Sequence, residues 1–171
     1  MDPSQQHKEI AKHIADLGGA DASVHQYRDN AGRNPVLVAA AGPKEHRLYS
    51  TVGVSDRQLS LPAARAELAL IGSYPWLPNA LASTLYWLRD RSFTDWPVVC
   101  EDVVKHNTKG PYHHLAFCLA DAQLVTEGGR SVNWLVGIPI RDSDILVTAD
   151  DCLSQARKAF PHWFFPKRAK L

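Results

Sequence analysis

Residues 48–71 read LYSTVGVSDRQLSLPAARAELALI, and this stretch decides the fold of the chain. A β-prone run stands at each end, and the polar loop between them passes through Leu61 and Pro62. Such runs around turn-forming residues are typical of a β-hairpin. Strands that follow each other in sequence usually pair, so we predict that these two strands lie side by side in a sheet.

Size and composition indicate one soluble globular domain over residues 1–171, long enough to bury a core. The formal net charge is +1, so the charge pattern of a general nucleic-acid or anionic-membrane binder is missing. No apolar run approaches the roughly 20 residues of a membrane span, and the N-terminus lacks the pattern of a secretory signal. Three cysteines without a Cys-x-x-Cys spacing favour reduced thiols and a cytoplasmic location.

Three helices are predicted from apolar residues that recur every three or four positions. The first ends at Gly18, and the second begins near Pro78. The third begins at Thr148, which together with Asp151 resembles a capping box. The apolar stripes of the three helices are Ile10, Ile14 and Leu17; Leu81, Leu85 and Leu88; and Leu153, Ala156 and Phe160.

Further strands are predicted at residues 23–27, 36–41, 113–119 and 131–140. The run at 36–41, VLVAAA, is apolar throughout, which indicates a strand buried on both faces. Helix, strands, helix, strands and helix in this order indicate an α+β fold. We expect one group of residues with strong periodicity to be buried together: Val52, Leu68, Leu70, Leu85 and Trp134.

Side chains that can bind metals are densest between residues 96 and 114. His113 and His114 are adjacent, so on a strand they are expected to point to opposite faces and not to share one ion. No spacing typical of zinc enzymes is present, and we predict no metal and no other cofactor. The side chains in question are Cys100, Glu101, Asp102, His106, His113 and His114.

Two further polar residues lie in the hairpin. Ser55 is not part of a Gly-x-Ser-x-Gly motif, and with Asp56 it is more simply a turn pair. Glu67 shares a strand face with Arg65 and Ala69, and we expect this face to be solvated. The alternative is a carboxylate that faces a cleft.

Near the C-terminus stand three consecutive aromatic residues, Trp163, Phe164 and Phe165. Two arrangements are open for them. They fold back onto the core, or they form an exposed apolar patch that a partner covers.

Several segments in order resemble the suppressor of fused domain family. Residues 48–56, LYSTVGVSD, resemble its Leu-x-Thr-x-Gly-Met-Ser-Asp strand and turn, with Val54 in place of Met. Residues 65–70, RAELAL, are similar to its Arg-x-Glu-Leu-x strand. Residues 76–88 resemble its central helix, and 132–139, VNWLVGIP, its late apolar strand. The resemblance extends over most of the chain, and the segment around His106 matches only loosely.

This resemblance implies an α+β fold with a central mixed, largely antiparallel sheet and flanking helices. It also implies a protein-binding role without catalytic residues. Animal members bind a transcription factor in Hedgehog signalling, and some bacterial single-domain members resemble immunity proteins that neutralise polymorphic toxins. A short, near-neutral chain suits the bacterial kind. We therefore expect a non-enzymatic domain whose partner is a protein, such as a toxin domain.

The irregular stretch 95–114 is predicted to form much of the recognition surface, because long ordered loops in compact domains are usually functional. Aromatic side chains there supply contact area, and acidic neighbours attract a basic partner. The predicted partner-binding residues are Trp96, Glu101, Asp102, His106, Tyr112 and His113. Two alternatives stay open. Trp96 and Tyr112 are core residues that close the sheet edge, or Asp102, His106 and His113 form the site of a small hydrolase or metal-dependent enzyme.

Overall fold

The computed structural model describes residues 4–28 and 35–164, which fold into a seven-stranded sheet with helices on both faces. The helices of this part of the chain are α1 Gln5–Gly18, α2 Leu77–Leu88 and α3 Ala149–Ala159. The strands are β1 Ser23–Tyr27, β2 Val36–Ala41, β3 Arg47–Val52, β4 Ala66–Gly72, β5 Val98–Cys100, β6 His114–Val125 and β7 Ser131–Ile140. The predicted α+β class is confirmed.

The sheet has the order β1-β2-β3-β4-β7-β6-β5. Neighbouring strands are antiparallel, except that β4 and β7 run parallel at the centre. The predicted hairpin of β3 and β4 is confirmed, with Ser50 opposite Ala69. A parallel pair needs a long crossover, and here α2, β5 and β6 lie between its two strands in sequence.

The sheet separates two hydrophobic cores. The helices α1 and α3 cover one face, where Val52 and Trp134 are buried. The helix α2 covers the other face, where Leu68, Leu70 and Leu85 are buried. The five residues expected to be buried together are therefore all buried, but the prediction of one shared cluster is wrong, because successive residues of a strand point to opposite faces.

The C-terminal aromatic residues Trp163 and Phe164 fold back onto the core beside α1 and α3. The Trp163 ring lies 5.3 Å from that of Trp134, centroid to centroid, at an angle of 63°. Phe165 lies outside the described residues. No helix in the described part of the chain is both long enough and apolar enough to cross a membrane.

Glu67 is completely buried, so the prediction of a solvated position is wrong. Beyond Val52 the chain leaves the ladder with β4, turns at Gly53 with φ 89°, and forms a single 3-10 turn at Val54–Asp56. This turn covers the Glu67 carboxylate. The Gly53 Cα packs directly against the His7 ring, since an added Cβ there would lie 2.4 Å from His7 Nε2.

Five hydrogen-bond donors surround the Glu67 carboxylate. Its Oε1 accepts from the backbone N–H groups of Gly53 (3.0 Å) and Ser55 (3.0 Å) and from Ser55 Oγ (2.7 Å). Its Oε2 accepts from the N–H of Val54 (3.1 Å) and from Thr51 Oγ1 (2.7 Å). Burial raises the pKa of the Glu67 carboxyl, against the opposite effect of the hydrogen bonds from Ser55, Thr51 and Val54. The carboxylate thus replaces the strand ladder as the acceptor that holds the turn in place.

Candidate functional site

A cleft of about 740 Å³ opens between the C-terminal half of α2 and the turn that follows β5. Its helix side is aromatic and cationic, with Trp87, Arg91 and Phe93. Its turn side carries the exposed Glu101 and Asp102. The remaining lining residues are Ser83, Ser92, Val99, Val103 and His106.

The helix side of the cleft is held by stacked side chains. Ser83, Trp87 and Arg91 follow one another at intervals of four, so they lie along one line of the helix and its continuation. The Trp87 ring stacks on Phe93, with centroids 5.7 Å apart and 24° between the planes. The Arg91 guanidinium lies 4.0 Å above the Trp87 ring and donates to the Trp87 carbonyl at 2.7 Å. These contacts keep two half-exposed rings in a defined orientation.

The turn side is anchored by buried apolar residues. Cys100, Val103 and Val104 are buried in the core beneath α2, and the Val104 N–H donates to the His113 carbonyl at 2.9 Å. Asp102 has φ 57°, a left-handed conformation that reverses the chain at the end of β5. With positions 100, 103 and 104 fixed in the core, Glu101, Asp102 and also His106 are exposed and line the cleft.

Behind this turn, His114 is buried and both of its ring nitrogens are hydrogen-bonded. Its Nδ1 accepts from the Asp102 backbone N–H at 2.9 Å. A backbone N–H only donates, so the proton of the neutral ring is on Nε2. Nε2 lies 2.8 Å from Asp142 Oδ1 and donates to it. The imidazole thereby links the turn after β5 to the segment after β7.

Asp142 Oδ1 also lies 2.8 Å from His113 Nδ1, so two histidines share one carboxylate oxygen. The expectation that adjacent histidines point to opposite faces is wrong here, because His113 precedes the first residue of β6. The hydrogen bonds from His113 and His114 hold the pKa of the Asp142 carboxyl below its usual value.

Asp102, His113 and His114 have the distances of a candidate metal site, with one donor atom from each within 4.8 Å of the others. The hydrogen bonds of His114 argue against ligation. Its Nδ1 lone pair faces the Asp102 N–H, and its Nε2 carries a proton. A metal ion would have to replace one of these bonds, and a ligand nitrogen needs a free lone pair.

The six predicted partner-binding residues are not all in one place. Glu101, Asp102 and His106 line the cleft, whereas Trp96, Tyr112 and His113 do not. Trp96 and Tyr112 are half-buried and pack against the core beneath α2. Tyr112 also has its ring centroid 6.1 Å from that of Tyr74. The stretch 95–114 is less irregular than predicted, since it contains β5.

The aromatic and cationic side of the cleft, formed by Trp87, Arg91 and Phe93, was not predicted from the sequence. Trp87 flanks the leucine stripe of α2, and like Phe93 it packs in part against the core beneath this helix while also lining the cleft. Ser83, Trp87 and Arg91 follow one another at intervals of four and form a partly polar line beside the leucine stripe. This spacing is the signal in the sequence that distinguishes Trp87 from the leucines.

The three cysteines and Ser55 are not among the residues that line the cleft. All three cysteines are buried, and burial raises the pKa of the Cys100 thiol. The Ser55 hydroxyl donates to Glu67 under the turn described above.

Comparison of the chain with protein-family models finds no match, and comparison with curated proteins finds none either. The resemblance to the suppressor of fused family therefore stays a prediction.

Proposed function

We propose that this protein is a non-enzymatic binding domain that recognises another protein through the cleft beside α2. The observation that carries the proposal is the pair of stacked, half-exposed rings, Trp87 and Phe93, which face the acidic side chains of Glu101 and Asp102. Aromatic side chains held in place before binding lose little freedom on association, and they dominate the energetics of many interfaces.

The cleft suits one or two anchoring side chains of a larger partner. It is open toward solvent, and its volume of about 740 Å³ falls in the range of small-ligand sites. The rings contribute apolar contact area, with Phe93 stacked against Trp87 and the Arg91 guanidinium over the Trp87 ring. A partner residue that packs on the rings would exclude water from them and leave the charged residues at the rim.

The acidic turn favours a basic partner. Glu101 and Asp102 are exposed, and the one ion pair from Asp102 to a lysine in the described residues is a long one, 3.7 Å to Lys105 Nζ. Charges at a rim act mainly on the association rate. Together with the suppressor of fused resemblance, this charge supports the narrower proposal that the partner is a cationic toxin domain that the protein neutralises.

The geometry gives the enzyme alternative less support. His106 lines the cleft, whereas His113 lies outside the lining and bonds to Asp142. Asp102 points its backbone N–H at His114 and pairs its carboxylate with Lys105. Donor atoms of Asp102 and His113 lie within 4.8 Å of each other, but His106 is not part of that group, so the three residues do not form one site.

Affinity capture from the native host tests the proposal. Tagged wild-type protein and the charge-reversal variant Glu101→Lys are compared with Asp144→Lys, an exposed aspartate outside the cleft. We expect a basic protein, identified by mass spectrometry, that is captured by the wild type and Asp144→Lys and reduced with Glu101→Lys. Equal capture by all three forms would show that the partner does not bind in the cleft. The absence of any captured protein would contradict the binding role.

A further inference from the structure

We propose that a second cavity, formed by residues other than those of the cleft, binds the phosphate group of a phosphomonoester. This pocket has a volume of about 250 Å³ and shares no lining residue with the cleft. The side chains that carry the inference are three arginines, Arg57, Arg65 and Arg130, together with Gln6, Ser55 and Asp56. The inference does not depend on the proposed partner binding.

The topology of the sheet brings the arginines together. Arg65 directly precedes β4, and Arg130 directly precedes β7. These two strands are parallel neighbours, so the residues before them lie at the same end of the sheet. Arg57 follows the 3-10 turn that covers Glu67, close to the start of β4. Arg65 has φ 50°, a conformation uncommon for a residue other than glycine.

The positive charge of the pocket is only partly compensated. Asp56 accepts from Gln6 Nε2 at 2.9 Å, lies 3.2 Å from His7 Nε2, and is 3.8 Å from Arg130 Nη1. Arg57 donates to the Pro35 carbonyl at 2.7 Å, a neutral acceptor. Within residues 4–28 and 35–164, neither Arg57 nor Arg65 forms an ion pair with a carboxylate.

The negative charge of the buried Glu67 carboxylate lies beneath the pocket, but the pocket still has an excess of positive charge. Ser55 separates the pocket from Glu67, and its hydroxyl donates to that carboxylate. The three guanidinium groups still outnumber the carboxylates of Asp56 and Glu67 together. The five donors around Glu67 also reduce the field that its charge projects outward.

A phosphate group matches these donors better than other anions do. Guanidinium groups bind phosphate and carboxylate oxygens in forked pairs, and three of them offer more donors than a planar carboxylate can accept. The pocket admits one phosphate with the first atoms of its ester. A nucleic-acid polymer is a poor match, because its binding needs a continuous basic surface and the whole chain has a formal net charge of only +1.

The test is a titration of the full chain with inorganic phosphate at constant ionic strength, followed by ¹H–¹⁵N NMR, with potassium chloride as the salt control. We expect saturable shifts at residues 55–57 and 130, with a Kd on the order of 1 mM. Arg65→Gln and Arg130→Gln should each weaken binding by about tenfold. Arg89→Gln, which removes an exposed arginine outside the pocket, should leave it unchanged.

Phosphoserine and AMP are titrated in the same way to separate two sources of the group. Tighter binding of phosphoserine than of inorganic phosphate would identify the ligand as a phosphorylated side chain. Tighter binding of AMP would identify it as a nucleotide. The proposal is overturned if phosphate does not saturate the protein, or if both arginine variants bind it like the wild type. It is also overturned if neither ester binds at least as tightly as inorganic phosphate.

Discussion

Replacing Glu67 by glutamine changes the acceptor that holds the turn after β3. The glutamine side chain has nearly the same shape but only one acceptor oxygen. If this oxygen keeps the N–H groups of Gly53 and Ser55, the new amide points at the Val54 N–H, which is buried and also a donor. Thr51 can adapt, because its hydroxyl lies 3.5 Å from the Leu68 carbonyl and is free to turn its proton there.

The expected loss follows from the number of donors left without an acceptor. Glutamine leaves one buried N–H unpaired and removes the charge from the remaining bonds, which together should lower the free energy of unfolding by about 2 kcal/mol. Glu67→Ala leaves three N–H groups unpaired and should cost about 4 kcal/mol or more. Since domains of this size are stable by about 5–15 kcal/mol, the glutamine variant should still fold.

Urea titration followed by tryptophan fluorescence measures these losses. The matched control is Glu45→Gln, an exposed glutamate on the short 3-10 helix Lys44–His46, which should change stability by less than about 0.5 kcal/mol. If Glu67→Gln is as stable as this control, the carboxylate does not hold the turn, and the reasoning about the five donors is refuted.

Three other predictions concern the core and the histidine pair. Leu85→Ala in the core beneath α2 should lower the free energy of unfolding by about 2–5 kcal/mol, and a urea-titration loss below about 0.5 kcal/mol would place α2 on the surface. Gly137→Ala should cost about 1–3 kcal/mol by thermal unfolding, since its Cβ would lie 2.6 Å from the Phe117 ring, and an unchanged Tm would contradict this packing. The pKa of the Asp142 carboxyl is lowered in the folded protein. Its stabilising effect is therefore fully present above the ordinary pKa of about 4, and it is lost as the pH falls through the pKa of the folded state. Asp142→Asn should therefore destabilise the protein at pH 7 and progressively less below pH ~4, whereas a pH-independent difference in urea titrations would refute the link to the histidines.

The elements that the sequence predicted well are those whose signals are local. The apolar run at 36–41 forms β2. Thr148 caps α3 by accepting from the Asp151 N–H, and Gly19 ends α1 in a left-handed conformation. Each of these features depends on neighbouring residues alone, so a single sequence is sufficient to find it.

The features that the sequence missed depend on where distant segments meet. Glu67 looked like a surface residue because nothing local shows that the turn at Val54–Asp56 folds over it. The joint contact of His113 and His114 with Asp142 depends on where β6 begins and on a residue that follows β7. Trp87 and the acidic turn line the same cleft because β5 lies at the sheet edge beside α2, which no local sequence signal shows.

The central proposal, recognition of a protein partner in the cleft, is tested most directly by calorimetry with the purified partner. The Kd is measured for the wild type, for Trp87→Ala, and for Leu146→Ala, whose side chain is 91% exposed and lies outside the cleft. The proposal predicts that Trp87→Ala raises the Kd by about 30-fold or more, equivalent to about 2 kcal/mol, while Leu146→Ala leaves it unchanged. An unchanged Kd for Trp87→Ala, with circular dichroism and unfolding midpoint like those of the wild type, would contradict it.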